Sequence, residues 1–232
     1  MLEPSFGVLI YLTTLLNMDS ITSSLFQGSS FPDGYVVYQG TSTTSSASSF
    51  TYTSAPLGTA TEDRVIIAGV PARSALANSC TIAGISATRI YTYQPIAEGI
   101  SIFVARVPTG ITGNISVVLS GTARVGIYVW AAYNIIDPFN PIATDEGYST
   151  RPVNLSQNVV RGSIGVCPAY NNDSNGGFTY VGLTRNFNSY VSGGDFSCAS
   201  ETFTLNETPR TMSALVGDLS PAYGTVSLVV LR

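Results

Sequence analysis

Between Gly99 and Tyr133 apolar and polar side chains alternate along much of the chain. Ile100, Ile102 and Val104 alternate with Ser101, Phe103 and Ala105, and Ile115, Val117 and Leu119 alternate with Ser116, Val118 and Ser120. A period of two sends one set to a single face of a strand. Pro108 to Gly113 breaks the first run, and Ser120-Gly121-Thr122 predicts a second, tighter turn. Val125 to Tyr133 is apolar at nearly every position, the pattern of a strand buried on both faces. Three short strands at this spacing predict an antiparallel sandwich or barrel.

Similar runs occur on either side. Tyr35 to Gln39, Arg64 to Ala72, Cys80 to Gly84 and Thr88 to Tyr93 precede it. Arg161 to Tyr170, Phe178 to Thr184, Phe196 to Phe203, Met212 to Asp218 and Gly224 to Leu231 come after it. Turns are predicted at Asn171 to Gly177, Ser192 to Asp195, Asn206 to Pro209 and Ser220 to Tyr223, all rich in Asn, Gly, Ser or Pro. Asp137 to about Arg151 reads as a rigid loop followed by irregular chain. The total is about eleven strands, enough for two packed sheets. The expected fold is all-β: an antiparallel two-sheet β-sandwich, jelly-roll-like, with an N-terminal arm.

The arm is residues 1–27. Its segment Phe6 to Leu16 is apolar but short of the roughly 20 residues that span a bilayer. It lacks the basic leading region and small-residue cleavage site of a signal peptide. Two readings stand. It docks on the body or on another subunit, with Phe6, Val8, Ile10, Leu12, Leu15 and Leu16 as assembly contacts, or it is an extra strand or short helix of the core. Residues 28–54, with the Ser/Thr run Thr41 to Ser54, read as a long surface connection, and residues 55–232 as the sandwich domain.

Composition narrows the function. Only 10% of residues are charged, against about 25% usually, while 44% are hydrophobic. That balance excludes ordinary disorder. A net charge of −4 with no cationic cluster argues against a nucleic-acid partner. The 10 cations are all Arg; with no His, the commonest general base and metal ligand is missing. Cys80, Cys167 and Cys198 have no scaffold spacing and read as buried thiols, with one disulfide or an intersubunit cross-link as alternatives.

The residues offer no catalytic or metal constellation. A Ser, Thr or Cys nucleophile would have no His beside it, and no GxSxG occurs. The adjacent acids Glu62-Asp63 and Asp145-Glu146 point to opposite faces of a strand and read as solvated loop charge. Asn171 to Gly176 has the oxygen-rich character of a calcium loop, but its twelfth position is Gly182 and not an acid, so a hairpin turn explains it. No cofactor is expected, and the chain is read as no enzyme. Tyr148, Tyr170, Tyr180, Tyr190 and Tyr223 lie in or beside turns with Asn, Ser and Gly, a composition that binds by stacking and adaptable hydrogen bonds. Tyr170, Asn172, Asp173, Tyr180 and Tyr190 are therefore candidate receptor or glycan contacts. The other reading has these rings buried at strand ends with wet hydroxyls.

From Ala55 onward the chain resembles β-sandwich virion structural proteins of tailed bacteriophages and prophages. The stretches that carry the resemblance are APLGTATEDRVIIAGV (Ala55 to Val70), SCTIAGISAT (Ser79 to Thr88), VPTGITGNISVVLSGTARVGIYVW (Val107 to Trp130) and the closing GTVSLVVLR. The resemblance implies a virion location and a structural role: decorating or cementing the capsid, or joining parts of the head or tail. It also implies other virion proteins as partners and a homo-oligomer, a trimer by analogy. The alternative is a host-receptor or surface-glycan module of a tail fibre or tail tip. No membrane partner is expected.

Overall fold

The computed structural model describes residues 32–148, 153–172, 177–190, 194–216 and 224–232. The chain divides into two units, Met1–Pro32 and Asp33–Arg232, and every described strand lies in the second. The arm positions Phe6, Val8, Ile10, Leu12, Leu15 and Leu16 lie outside the described residues.

The described chain is all-β, with antiparallel sheets throughout. A seven-stranded sheet contains β1 (Tyr35–Pro56), β2 (Val65–Arg73), β3 (Ala77–Ile82), β4 (Ile85–Ser86), β5 (Thr88–Tyr93), β6 (Glu98–Arg106) and β7 (Thr112–Tyr133). A five-stranded sheet holds β8 (Ala143–Tyr148), β10 (Ile164–Asn171), β12 (Thr184–Tyr190), β13 (Asp195–Thr202) and β15 (Gly224–Leu231). The remaining three, β9 (Val153–Val159), β11 (Phe178–Val181) and β14 (Glu207–Val216), make a small third sheet in the order β11-β14-β9.

The seven-stranded sheet curls until it is nearly closed. Arg89 on β5 donates from Nη1 to the Ala77 carbonyl of β3 at 3.1 Å, reaching across the gap. Strand β7 organises this sheet. Along one edge it pairs with β1 over nearly its whole length. Along the other it pairs first with β3 (Ile115 to Leu119) and then with β2 (Arg124 to Ala132).

Strand parity sorts the apolar side chains into three layers. On β2, Ile66, Ala68 and Val70 fill the interior of the curled sheet, while Val65 and Ile67 face outward. On β7, Ile127 and Val129 go in, while Tyr128 and Trp130 go out. The outward set packs on Ile164, Val166, Phe196 and Val229 of the five-stranded sheet. Gly69 and Gly126 let the sheets approach: a Cβ on Gly126 would lie 2.8 Å from Phe196 Cδ1, and one on Gly69 would lie 2.9 Å from Trp130. The far side of the five-stranded sheet, through Cys167, Ala199, Leu228 and Val230, packs on Phe178, Met212 and Ala214 of the third sheet. Strands β2, β6, β10 and β15 are thus buried on both faces, which is why their sequences are almost continuously apolar.

Several expectations change. The Ser/Thr run is not a connection: Thr41 to Ser54 lies inside β1, held to β7 by backbone pairing that needs no apolar side chain. Ser120-Gly121-Thr122 is not a turn between strands. It is a bulge within β7, since pairing with β1 jumps from Ala47↔Ala123 to Ser49↔Val118. The stretch expected to be irregular up to Arg151 contains β8. The Asn171 to Gly177, Ser192 to Asp195 and Ser220 to Tyr223 turns lie largely outside the described residues.

Candidate functional site

Arg64 is fully buried, and among the described residues no carboxylate is in hydrogen-bond contact with it. Its guanidinium donates instead to four backbone oxygens: Val107 at 2.7 Å, Gly58 at 2.8 Å, Thr109 at 2.8 Å and Gly110 at 2.7 Å. One side chain therefore clamps the 57–64 loop to the β6–β7 turn, fixing the mouth of the curled sheet. Asp63 beside it accepts from the Asn134 backbone N–H at 2.6 Å. Burial alone would raise the Asp63 pKa, but the neighbouring Thr61 hydroxyl and the hydrogen bond from the Asn134 N–H outweigh it and hold the carboxyl below its usual range.

The other acid pair is also engaged. Glu146 accepts from the Tyr91 hydroxyl at 2.6 Å, joining β5 to β8 across two sheets, and Asp145 accepts from the Asn154 N–H at 3.1 Å. Asp63, Asp145 and Glu146 are structural acceptors and not the solvated loop charges expected of them, whereas Glu62 is exposed in a turn, as expected. Among the described residues no group of three or more His, Cys, Asp or Glu is placed to hold a metal ion. All three cysteines are free and buried. Cys167 pairs with Ala199 while Cys198 pairs with Pro168, so the two thiols sit one register step apart on opposite faces of the sheet. Burial pushes the Cys80 thiol up to about 12 and raises Cys167 and Cys198 as well.

The tyrosines separate. Tyr170 on β10 is fully buried between the seven- and five-stranded sheets, its ring 4.9 Å from Phe196, and its hydroxyl accepts from Arg124 Nη1 at 3.1 Å. Burial raises its pKa and the Arg124 contact partly offsets this. Tyr180 on β11 is half-buried on the opposite side of the five-stranded sheet, donating to Ser197 Oγ at 3.1 Å. Tyr190 ends β12 and is 51% exposed. Asn172 is half-buried just after β10, and Asp173 lies outside the described residues. Tyr170 and Tyr180 thus do not share a surface. Tyr180 does line a pocket of about 260 Å³ with Phe178, Thr179, Leu183 and Arg185.

A second concavity was not legible in the sequence. Where β7 changes partner from β3 to β2, its bulge faces a bulge in β1 at Ser45-Ser46 and the β2–β3 corner at Ser74. Ser74 has φ +67°, a left-handed conformation unusual for a residue other than glycine. Arg73, Arg124, Ser45, Ser46, Ser74, Thr122 and Ala123 line a pocket of about 180 Å³ there.

Comparison with protein families, with characterised proteins and with solved structures finds no match to this chain.

Proposed function

We propose that the chain is a non-enzymatic bacteriophage virion structural protein that decorates or joins parts of the particle through contacts between subunits. The packing of the curled seven-stranded sheet on the five-stranded sheet supports reading the body as a jelly-roll-like sandwich. The observation that carries the proposal is β1. It runs for 22 residues, is half-exposed over most of its length, and among the described residues no strand pairs with its second edge. A long edge presents unpaired backbone groups, and soluble proteins usually blunt such edges with Lys, Pro or covering structure. This chain has no Lys, and Pro56 stands only at the end of β1. In the proposal a neighbouring subunit covers this edge, and the apolar residues Phe6 to Leu16 anchor the chain to the particle as a homo-oligomer.

Deleting Met1 to Gln27 is expected to abolish incorporation into particles while leaving the urea transition of the body unchanged. Full-occupancy assembly of the truncated protein would overturn the anchoring role. The second reading, a host-glycan module, draws on the Tyr180 and Arg185 pocket, since an aromatic ring beside a guanidinium suits a sugar. Saturable glycan-array binding by the isolated protein, lost in both Tyr180→Ala and Arg185→Ala, would favour it over the structural role.

A further inference from the structure

Arg73 and Arg124 stand directly opposite each other in the β2–β7 ladder, and Glu98 stands opposite Arg73 in the β2–β6 ladder. Parity places all three on one face. Ala72, Ala123 and Val125 point into the curled sheet, so Arg73 and Arg124 point out of it, as does Glu98, two residues before Ile100 on that same outer face. The rank therefore reads acid, cation, cation, and carries one net positive charge. Like charges directly opposite one another on a sheet repel. Glu98 is buried and does not line the pocket; the pocket lies at the cationic end, where Ser45, Ser46, Ser74 and Thr122 add hydroxyls and, among the described residues, no acid contributes.

The two guanidiniums differ in how they are held. Arg124 is positioned by its bond to the Tyr170 hydroxyl, itself locked in the core against Phe196. For Arg73, no hydrogen bond or ion pair of the guanidinium is found among the described residues. Guanidinium groups present a planar fork of donors that matches a tetrahedral or planar oxyanion, and surrounding hydroxyls complete its coordination. The concavity is built by three departures from regular strand geometry: the β1 bulge, the β7 bulge and the left-handed Ser74. Bulges gather where a sheet re-aims side chains at a site. At about 30 Å³ per water, the volume corresponds to roughly six waters, room for an anionic group and part of the molecule carrying it.

We propose that this pocket binds an oxyanion, with Arg73 and Arg124 as the paired donors. The ligand class is a phosphate, a sulfate or the carboxylate of an acidic sugar. The pocket shares Ser45 and Ser46 with β1 but draws its charged donors from β2 and β7, and it has no lining residue in common with the Tyr180 pocket. Binding is read on the isolated chain, so its failure is distinguishable from failure of the assembly reading.

The test uses the full chain at constant ionic strength, with chloride as the balancing ion. Inorganic phosphate, sulfate and D-glucuronate are titrated separately by calorimetry and thermal melting, and D-glucose serves as the uncharged control. The expected result is saturable binding of at least one anion at a Kd of about 1 mM or tighter, a rise in wild-type Tm with that anion, and no response to glucose. Whether phosphate, sulfate or glucuronate binds tightest then identifies the source of the oxyanion. Arg73→Gln should weaken binding at least tenfold and remove the thermal response to the anion, read against the Tm of the same variant in chloride. Arg73→Lys, which keeps the charge but loses the fork, should fall between. Equal anion responses in wild type and Arg73→Gln, or no response to any of the three anions beyond that to chloride, would overturn the proposal.

Discussion

Replacing Arg64 removes the donor to four carbonyl oxygens that come from two loops. In the folded protein the burial of a lone cation costs several kcal/mol. Four bonds from a charged donor, each worth about 1.5–3 kcal/mol, offset that cost. In Arg64→Ala both terms vanish, but the acceptors remain. The Val107 bond is fully buried, so its oxygen is left without a partner at a cost of about 1–3 kcal/mol. The Gly58, Thr109 and Gly110 oxygens are part-buried and regain water in part. Adding the lost packing gives about 3–5 kcal/mol of destabilisation, the range seen when one partner of a buried charged network is deleted. For a domain of this size that is a fall in Tm of about 6–20 °C. Urea unfolding followed by the fluorescence of Trp130, the one tryptophan and fully buried, measures it directly. Arg64→Met separates the two terms. If the missing donors dominate, Met loses nearly as much as Ala; if desolvation dominates, an apolar side chain of similar length is neutral or stabilising. A Met variant as stable as wild type would refute the clamp.

Three further outcomes are expected. The native thiols should resist alkylation at mildly alkaline pH, since all three are buried and Cys80 is pushed up to about 12, and labelling should track unfolding; rapid stoichiometric labelling of the folded chain would contradict the burial. Tyr91→Phe should destabilise by about 1–2 kcal/mol in urea, because the Glu146 carboxylate loses its donor between sheets, and no change would mean water replaces the hydroxyl freely. Burial raises the pKa of Tyr128, Tyr180, Tyr170 and Tyr133 above the ordinary value of 10.0, so the folded state keeps protons that the unfolded state releases. Their contribution to stability is fully present below about pH 10 and is lost as pH rises beyond it. A tyrosinate absorbance titration should show these four ionising only with cooperative unfolding; their smooth ionisation near pH 10 in the folded chain would refute this.

The strands buried on both faces were legible because Arg64 to Ala72, Arg161 to Tyr170 and Gly224 to Leu231 are apolar at consecutive positions, a signal independent of partner. Strand β1 was hidden for the opposite reason. Its long middle pairs through backbone alone, so Ser and Thr serve as well as Val, and only Phe50 and Tyr52 betray a core-facing side. Strand β8 was missed because Asp145 and Glu146 look like loop charge until Tyr91 arrives from distant chain and Asn154 from the following strand. The site residues were the least legible. Nothing local tells Arg64 apart from a surface arginine, since the oxygens at Val107, Thr109 and Gly110 lie more than 40 residues on. The Arg73–Arg124 pair likewise exists only through strand register. Tyr170 sat beside an Asn-rich turn and left two readings open, a surface contact or a ring buried at a strand end; the parity of β10 turns it into the core.

The insertion of β15 between β10 and β8 sets an order of events during synthesis. Val229 and Leu231 complete the layer against the curled sheet, and Val226, Leu228 and Val230 complete the layer beneath the third sheet. Strand β10 leaves the ribosome about 60 residues before β15, an interval of roughly 3–12 s at ordinary elongation rates. Through that interval the curled sheet has all seven strands, yet Ile67, Ile102 and Trp130 on its outer surface lack their full cover. The nascent chain is then at its stickiest, and slower translation between β10 and β15 prolongs its need for a chaperone.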